Sequence, residues 1–234
     1  MFYILGLSGK RGSGKDTYAN EIIRQFDGMV YVTSFAEQLK IELEGFLLDY
    51  NSMKRANLDT PKTLCDMYSL SPREFEQLEE IILNAEEYPD IDIYKRSNAT
   101  RQLLQVYGTD IVRKKALNYW VYLVEARIDY YSRSLSDLEF EPNFLFLVTD
   151  VRHINEREMI EYNGGKVVRL LTTENRIVGR DNLMENEEIT RHESEIALDN
   201  EQFDLYINTD MYGQEGIREA TKNILDIFGM PIRG

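Results

Sequence analysis

Cysteine and histidine are nearly absent from this sequence, and their scarcity argues against disulfides and zinc sites. Cys65 is the only cysteine in 234 residues, so the chain has no intramolecular disulfide and fits a reducing compartment. His153 and His192 are the only histidines, and no Cys/His spacing resembles a zinc site. The G-x-S-x-G motif of serine hydrolases is also missing. Zinc-site and serine-hydrolase chemistry are therefore poor candidates for this chain.

Positive charge and long apolar runs are scarce as well. The chain has 27 Lys and Arg against 41 Asp and Glu, which gives a formal net charge of −14. Because a nucleic-acid polymer requires a basic surface, this balance argues against such a partner. Apolar runs such as Phe144–Val148 are far too short to cross a bilayer, and the first residues lack the pattern of a secretion signal. We therefore expect a cytoplasmic protein with no membrane partner, whose ligands are small anions bound by a few clustered cations.

Strands and helices alternate along much of the sequence. Tyr18, Ile22 and Phe26 recur at helical spacing and predict a helix over Lys15–Phe26. Strands separated by helices favour an α/β fold with a mainly parallel sheet and helices on both faces. Five strands are predicted, at Phe2–Leu7, Met29–Ser34, Asn143–Thr149, Lys166–Leu171 and Asp204–Asn208.

A long helical stretch separates the second and third predicted strands. Ser71 is a typical N-cap, followed by Pro72 and, three residues after the cap, by Glu74. A second helical pattern covers Asn98–Leu135 and is interrupted near Gly108. The stretch is therefore expected to form a helical lobe.

These patterns predict a single domain over residues 1–234. Its core would comprise residues 1–35 and 143–234, and the helical insertion residues 36–142. The polar residues 175–193, which include three arginines, are either a surface loop or a mobile cationic lid.

The first predicted strand is followed by a phosphate-binding motif. Gly9–Lys15 satisfies G-x-x-x-x-G-K between a strand and a helix, which is the context that this motif requires. Its glycines allow the backbone N–H groups and the helix N-terminus to surround phosphate oxygens. Lys15 would then reach the β- and γ-phosphates. Lys10 and Arg11 either add positive charge beside the transferred phosphoryl group or are ordinary loop charges.

The motif departs from its common form after the lysine. Ser or Thr usually stands there and binds Mg²⁺, but this chain has Asp16 followed by Thr17. A carboxylate is a competent magnesium ligand, directly or through water. The alternative is that Asp16 is an acid that the helix dipole favours.

A second acidic position follows the third predicted strand. Phe144–Thr149 is apolar and leads into Asp150, with Arg152 two residues later. Because ligands of α/β sheets bind at the carboxyl ends of the strands, these side chains would face the magnesium or the acceptor. The alternative is a salt bridge at the end of a strand.

The order of several motifs makes the interpretation more specific. They are Gly9–Thr17, Ser34–Lys40, Arg101–Arg113 with Trp120, Asp150–Glu156, His192–Glu195 and Ile207–Thr209. In this order they resemble the phage-type deoxynucleoside monophosphate kinases, a branch of the P-loop nucleoside monophosphate kinases. The G-K-Asp-Thr form of the loop is similar to this branch's own version.

The resemblance implies a P-loop NTPase fold and ATP-dependent phosphorylation of deoxynucleoside 5′-monophosphates with Mg²⁺. The enzyme would act in the cytoplasm of the host cell if a phage encodes it. The chain could also form a homodimer. The ATP site would comprise Gly9, Arg11, Gly12, Ser13, Gly14, Lys15, Asp16 and Thr17. The acceptor site would comprise Lys10, Phe35, Lys40, Arg101, Gln105 and Arg152. The magnesium ligands would be Asp16, Thr17 and Asp150. The catalytic residues would be Lys15, Asp16, Asp150 and Arg152.

Other interpretations stay open at this point. Arg101 could form a surface ion pair, and Trp120 could be either a core residue or a platform on which a base stacks. The acceptor could differ, as in an enzyme resembling dephospho-coenzyme A kinase. A nucleotide-dependent switch is disfavoured because the guanine-reading N-K-x-D motif is absent and Asp210–Gly213, a D-x-x-G match, follows the last strand.

Overall fold

Five parallel strands form one sheet in the computed structural model. The structure describes residues 1–10, 12–56, 58, 60–85, 97–136, 142–172, 197–211 and 213–234. The strand order is β2-β3-β1-β4-β5, and every neighbouring pair is parallel. The predicted five-stranded sheet is therefore confirmed. The strands are β1 (Phe2–Gly9), β2 (Met29–Thr33), β3 (Phe144–Val151), β4 (Lys166–Leu171) and β5 (Leu205–Asn208).

Helices cover both faces of this sheet. On one face α1 (Lys15–Gln25) and α8 (Gln214–Ile227) pack with the sheet, and Tyr18, Ile22 and Ile224 are buried there. On the other face the buried residues include Val124 of α6 (Tyr119–Ser136) and Ile160 of α7 (Ile154–Tyr162). Burial on both faces explains why β1 and β3 are continuous apolar runs without alternation.

The chain divides into two compact units. The first consists of Met1–Phe35 and Val121–Gly234, and the second of Ala36–Trp120. No helix among the described residues is long and apolar enough to cross a membrane. The helices of the second unit are α2 (Ala36–Arg55), α3 (Thr60–Met67), α4 (Pro72–Leu83) and α5 (Asn98–Gln105), followed by a π-helical segment (Val106–Arg113).

Helix α4 begins with the predicted capping box. The Ser71 hydroxyl accepts a hydrogen bond from the Glu74 N–H at 3.3 Å, and the Glu74 carboxylate accepts one from the Ser71 N–H at 2.6 Å. Lys115 also donates to this carboxylate at 2.7 Å. Burial raises the pKa of Glu74, but these hydrogen bonds outweigh it and hold the pKa below its ordinary value.

The predicted interruption near Gly108 is a change from α- to π-helix. A Cβ at Gly108 would lie 2.6 Å from a methyl carbon of Leu39, so glycine allows this close approach of two helices. The Gly108 carbonyl accepts a hydrogen bond from the Trp120 indole at 3.1 Å. Trp120 is only 2% exposed, and it is a core residue of the second unit.

Candidate functional site

The loop after β1 is shaped by its glycines. Gly12 and Gly14 have φ angles of 77° and 87°, in the left-handed region that favours glycine. A Cβ at Gly9 would meet the Ser13 hydroxyl and would lie 2.8 Å from the main-chain oxygen of Leu170. The loop therefore needs these glycines, and its backbone leads directly into helix α1. Together with the sheet order, this geometry confirms the predicted P-loop fold.

Two polar side chains of the loop suit a phosphate group. The Lys15 ammonium folds back onto the loop and donates to the carbonyls of Gly9 at 2.6 Å and Lys10 at 3.0 Å. Ser13 is 1% exposed, and its hydroxyl has no hydrogen-bond partner among the described residues. Because buried polar groups are normally satisfied, this orphaned hydroxyl fits a site that receives an anionic oxygen.

The acids expected to bind magnesium do not form a metal cluster by themselves. Asp16 and Thr17 are exposed in the first turn of α1. Within the part of the chain that the structure describes, no group of three or more His, Cys, Asp or Glu side chains could hold a metal. Mg²⁺ commonly takes one or two carboxylates plus phosphate oxygens, so this arrangement fits a nucleotide-bound metal. Arg11, expected in the same site, lies outside the described residues.

Asp150 projects from an irregularity in the sheet. The register of β1 against β3 shifts between Gly6 and Ser8, so that β3 carries an extra residue before Val151. Such bulges re-aim side chains. The Asp150 carboxylate accepts a hydrogen bond from the Phe35 N–H at 2.8 Å. Asp150 therefore has a structural contact where β2 leads into α2, beside any role toward a metal.

The backbone after β3 is held by a buried glutamate. Glu156 is 2% exposed, and one of its oxygens accepts hydrogen bonds from the N–H groups of Arg152 at 2.7 Å and His153 at 3.1 Å. A carboxylate that binds two successive N–H groups fixes the direction of the chain at Arg152. Glu156 ends the motif Asp150–Glu156, but no role was predicted for it. A signal for it was available, because Glu156 stands three residues after the N-cap of α7.

Lys10 has an ionic partner that the sequence did not suggest. Its ammonium lies 2.9 Å from the Asp199 carboxylate, which also pairs with Arg169 of β4 at 2.8 Å. An arginine inside the apolar strand Lys166–Leu171 was the available signal, since a buried arginine requires a partner.

The residues expected around the acceptor lie in different places. Phe35 is 4% exposed and belongs to the core of the first unit. Lys40 on α2 and Arg101 and Gln105 on α5 are half-buried residues of the second unit. The structure brings Lys15, Ser13 and Lys10 together in one loop, with Asp150 and Arg152 on the neighbouring strand end. The predicted lid over residues 175–193, and His192 and Glu195, lie outside the described residues.

Tyrosine–carboxylate pairs distinguish the second unit. The Glu42 carboxylate accepts hydrogen bonds from the hydroxyls of Tyr119 at 2.8 Å and Tyr107 at 3.4 Å. Burial, together with the nearby carboxylate, raises the pKa of both tyrosines. The same pattern recurs where Tyr68 donates to Asp49 at 2.7 Å and Tyr50 donates to Glu79 at 2.9 Å.

Comparison with known proteins places the chain among kinases. A family model described as deoxynucleotide monophosphate kinase matches residues 49–209. The match includes Arg101 and the strand end at Asp150, but the glycine loop lies before it. None of the curated proteins compared with the chain matches it.

Several solved structures are similar to this chain at low sequence identity. A sugar kinase from Janibacter sp. HTCC2649 is 11% identical, with 97% of this chain and 96% of that chain covered and a TM-score of 0.45. Shikimate kinase from Bacteroides thetaiotaomicron is 12% identical, with 97% and 99% covered and a TM-score of 0.39. Shikimate kinase from Acinetobacter baumannii, in complex with shikimate, is 13% identical, with 97% and 93% covered and a TM-score of 0.40.

Proposed function

The chain belongs to the deoxynucleotide monophosphate kinase family, and from this premise we propose that it transfers the γ-phosphoryl group of ATP to a deoxynucleoside 5′-monophosphate. The observation that carries the proposal is the glycine loop before α1, with Lys15 and the buried Ser13 hydroxyl. This loop lies outside the matched residues 49–209. The loop supports a phosphate donor and the family match supports a nucleotide acceptor, so the two lines of support are independent.

The loop would bind the phosphates of ATP. Backbone N–H groups and the N-terminus of α1 offer partial positive charge, and the Ser13 hydroxyl supplies a further hydrogen bond. Lys15 would exchange its carbonyl partners for the β- and γ-phosphate oxygens, where it neutralises charge that develops during transfer. Asp16, Thr17 and Asp150 would hold Mg²⁺, directly or through water, and the ion would neutralise phosphate charge when bound.

The acceptor side requires cations and hydrogen bonds and no strong base. A nucleoside monophosphate presents a phosphate that is already ionised at neutral pH, so no side chain must remove a proton before it attacks. Arg152 would contact the acceptor near the transferring group. Its backbone N–H is held by the Glu156 carboxylate. Lys10, Lys40, Arg101 and Gln105 would bind the rest of the acceptor, and Phe35 would line the site from the core.

A panel of acceptors tests this proposal. ADP formation would be measured with ATP and Mg²⁺ against each common deoxynucleoside and ribonucleoside monophosphate and against dephospho-coenzyme A. We expect turnover with at least one deoxynucleoside monophosphate, and a Lys15→Ala variant controls for contaminating kinases. Turnover of dephospho-coenzyme A alone would replace the proposed acceptor. Nucleotide binding without turnover of any acceptor would indicate a binding module.

A further inference from the structure

A buried arginine of β4, Arg169, contacts Ser8 near the end of β1, just before the glycine loop. The side chain of Arg169 is 8% exposed. One guanidinium nitrogen, Nη2, donates to Asp199 Oδ1 at 2.8 Å, and the other, Nη1, donates to the Ser8 hydroxyl at 2.8 Å. The guanidinium also lies over the ring of Phe203, 5.5 Å from its centroid. Asp199, Ser8 and Phe203 therefore all restrain the Arg169 side chain.

The contacts continue in both directions from this arginine. The second oxygen of Asp199, Oδ2, lies 2.9 Å from the Lys10 ammonium. On the other side the Ser8 hydroxyl donates to the Val151 carbonyl at 2.8 Å, next to the irregularity that carries Asp150. One chain of polar contacts thus joins a cation of the loop to the strand end that holds the second acidic position.

The exposure of Lys10 and Asp199 indicates that their ion pair positions the lysine side chain and adds little stability. The Lys10 and Asp199 side chains are 42% and 31% exposed, so their ion pair contributes little to folding stability. A lysine side chain is long and flexible, however, and a fixed carboxylate restricts where its ammonium lies. Asp199 is itself fixed, because it pairs with a guanidinium that is buried and packed.

We propose that Asp199 is a positioning residue of the phosphoryl-transfer site, which holds the Lys10 ammonium at the loop by anchoring it to Arg169. The inference rests on the proposed function for its kinetic consequence. The contact itself can be tested without any turnover.

The chain contains a matched control at the opposite end of the same strand. Lys166 at the start of β4 pairs with Asp204 at 3.0 Å, and these side chains are 48% and 26% exposed. Asp204→Asn removes one negative charge, as Asp199→Asn does. The ion pair that it breaks, with Lys166, is exposed to a similar degree as the pair of Asp199 with Lys10. Lys166 lies at the amino end of β4, whereas the loop follows the carboxyl end of β1.

The first experiment measures amine labelling at Lys10 and Lys166 by mass spectrometry. Asp199→Asn should raise the labelling rate of Lys10 about two- to fivefold, the range that the strength of an exposed ion pair allows, and leave Lys166 unchanged. Asp204→Asn should do the reverse. An unchanged rate at Lys10 in Asp199→Asn would overturn the proposal, whatever the enzyme phosphorylates. If Asp199→Asn does not fold, the double variant Arg169→Met, Asp199→Asn removes both charges of this pair and allows the same measurement.

The second experiment is a kinetic double-mutant cycle. Asp199→Asn should lower kcat/KM about tenfold, as expected when a charge-assisted contact is lost, but should have little further effect in a Lys10→Ala background. Asp199→Glu, which keeps the charge, should recover part of the loss, and Asp204→Asn should leave kcat/KM unchanged. Equal losses with and without Lys10 would mean that Asp199 only stabilises the fold, which would refute the positioning role.

Discussion

The two units of the chain place their polar groups differently. In the first unit the interior of β3 is apolar, and Leu145–Val148 are fully buried, while charged residues gather where the strands end. In the second unit carboxylates accept hydrogen bonds from tyrosines of an aromatic core, as Glu42 does from Tyr107 and Tyr119. The sheet unit separates the groups that stabilise it from those proposed to bind anions, whereas the helical unit uses polar pairs for its packing.

This difference predicts how each unit responds to substitution. A change in the loop of the first unit should alter turnover more than stability, because the loop adds little to the apolar core. A change among the polar pairs of the second unit should alter stability first. The predictions below test this contrast, beginning with the largest expected effect.

Replacing Lys15 should give the largest loss of activity. Lys15→Ala should lower kcat by about 100-fold or more, because the ammonium would contact the group that carries the developing charge. The melting temperature should change little, because the Lys15 ammonium donates to loop carbonyls and is not part of the apolar core. Arg24→Ala, which removes an exposed cation from the other end of α1, is the matched control. A large fall in melting temperature for Lys15→Ala would contradict the separation of binding from stability.

Replacing Arg101 should affect the acceptor selectively. Arg101→Ala should raise the KM for the monophosphate about tenfold, since one charge-assisted hydrogen bond contributes roughly 1.5–3 kcal/mol. The KM for ATP should stay nearly constant, and initial rates with each substrate varied in turn would measure both constants. Lys114→Ala is the control, because it removes an exposed cation of the same unit that pairs with Asp110 at 3.1 Å. Equal effects on both KM values with a lower melting temperature would identify Arg101 as a structural residue.

Replacing Asp16 should change the use of magnesium more than the fold. Asp16→Asn should raise the Mg²⁺ concentration at half-maximal rate about fivefold or more, because an amide is a weaker ligand for a hard cation. Its effect on stability should stay within about 1 kcal/mol, the size of a helix-dipole contribution. Asp27→Asn makes the same charge change just after α1. If both variants have the same magnesium dependence, Asp16 acts only as a helix-terminal acid.

The sheet could be predicted because its signals are local. Apolar runs of strand length alternate with helical patterns, so all five strands were located from sequence, and β4 has the predicted bounds. The capping box at Ser71 was predictable for the same reason. The end of β3 was not, because it runs two residues past Thr149 through a bulge. That bulge depends on contacts with β1, and such contacts cannot be predicted from the local sequence.

The site was predictable in part for a similar reason. The glycine loop is contiguous, so its motif names Lys15 and Ser13 directly. The partners of Lys10 and Glu42 could not be predicted in this way. The partner of Lys10 is 189 residues away along the chain, and those of Glu42 are at least 65 residues away. Asp199 pairs with Lys10 and also with Arg169 of β4, the strand that lies beside β1 in the sheet. Side-chain pairs of this kind follow from the tertiary fold and not from the spacing of residues.

The smallest expected effect is a pH dependence of the second unit. Burial raises the pKa of Tyr50, and its hydrogen bond to Glu79 raises it further. The folded state therefore keeps this proton at a pH where the unfolded chain, with an ordinary tyrosine pKa of about 10, releases it. The stabilisation is complete below that pH and is lost as the pH rises above it. Tyr68 and Tyr107 have pKa values shifted in the same direction and should add to the loss.

Trp120 makes this last effect measurable, because it is the only tryptophan and is buried in the second unit. Urea unfolding followed by its fluorescence should give a free energy that falls between pH 9 and about 11. Tyr50→Phe should lower stability at pH 7 by about 1 kcal/mol and flatten this fall, because the titrating hydroxyl is gone. Glu79 keeps Lys54 as a partner at 2.7 Å in that variant, so no carboxylate is left unpaired.

Tyr162→Phe, which replaces an 87% exposed tyrosine of the first unit, is the control and should change neither the stability at pH 7 nor its fall with pH. A fall as steep in Tyr50→Phe as in the unaltered chain would mean that the Tyr50–Glu79 pair does not contribute to this pH dependence.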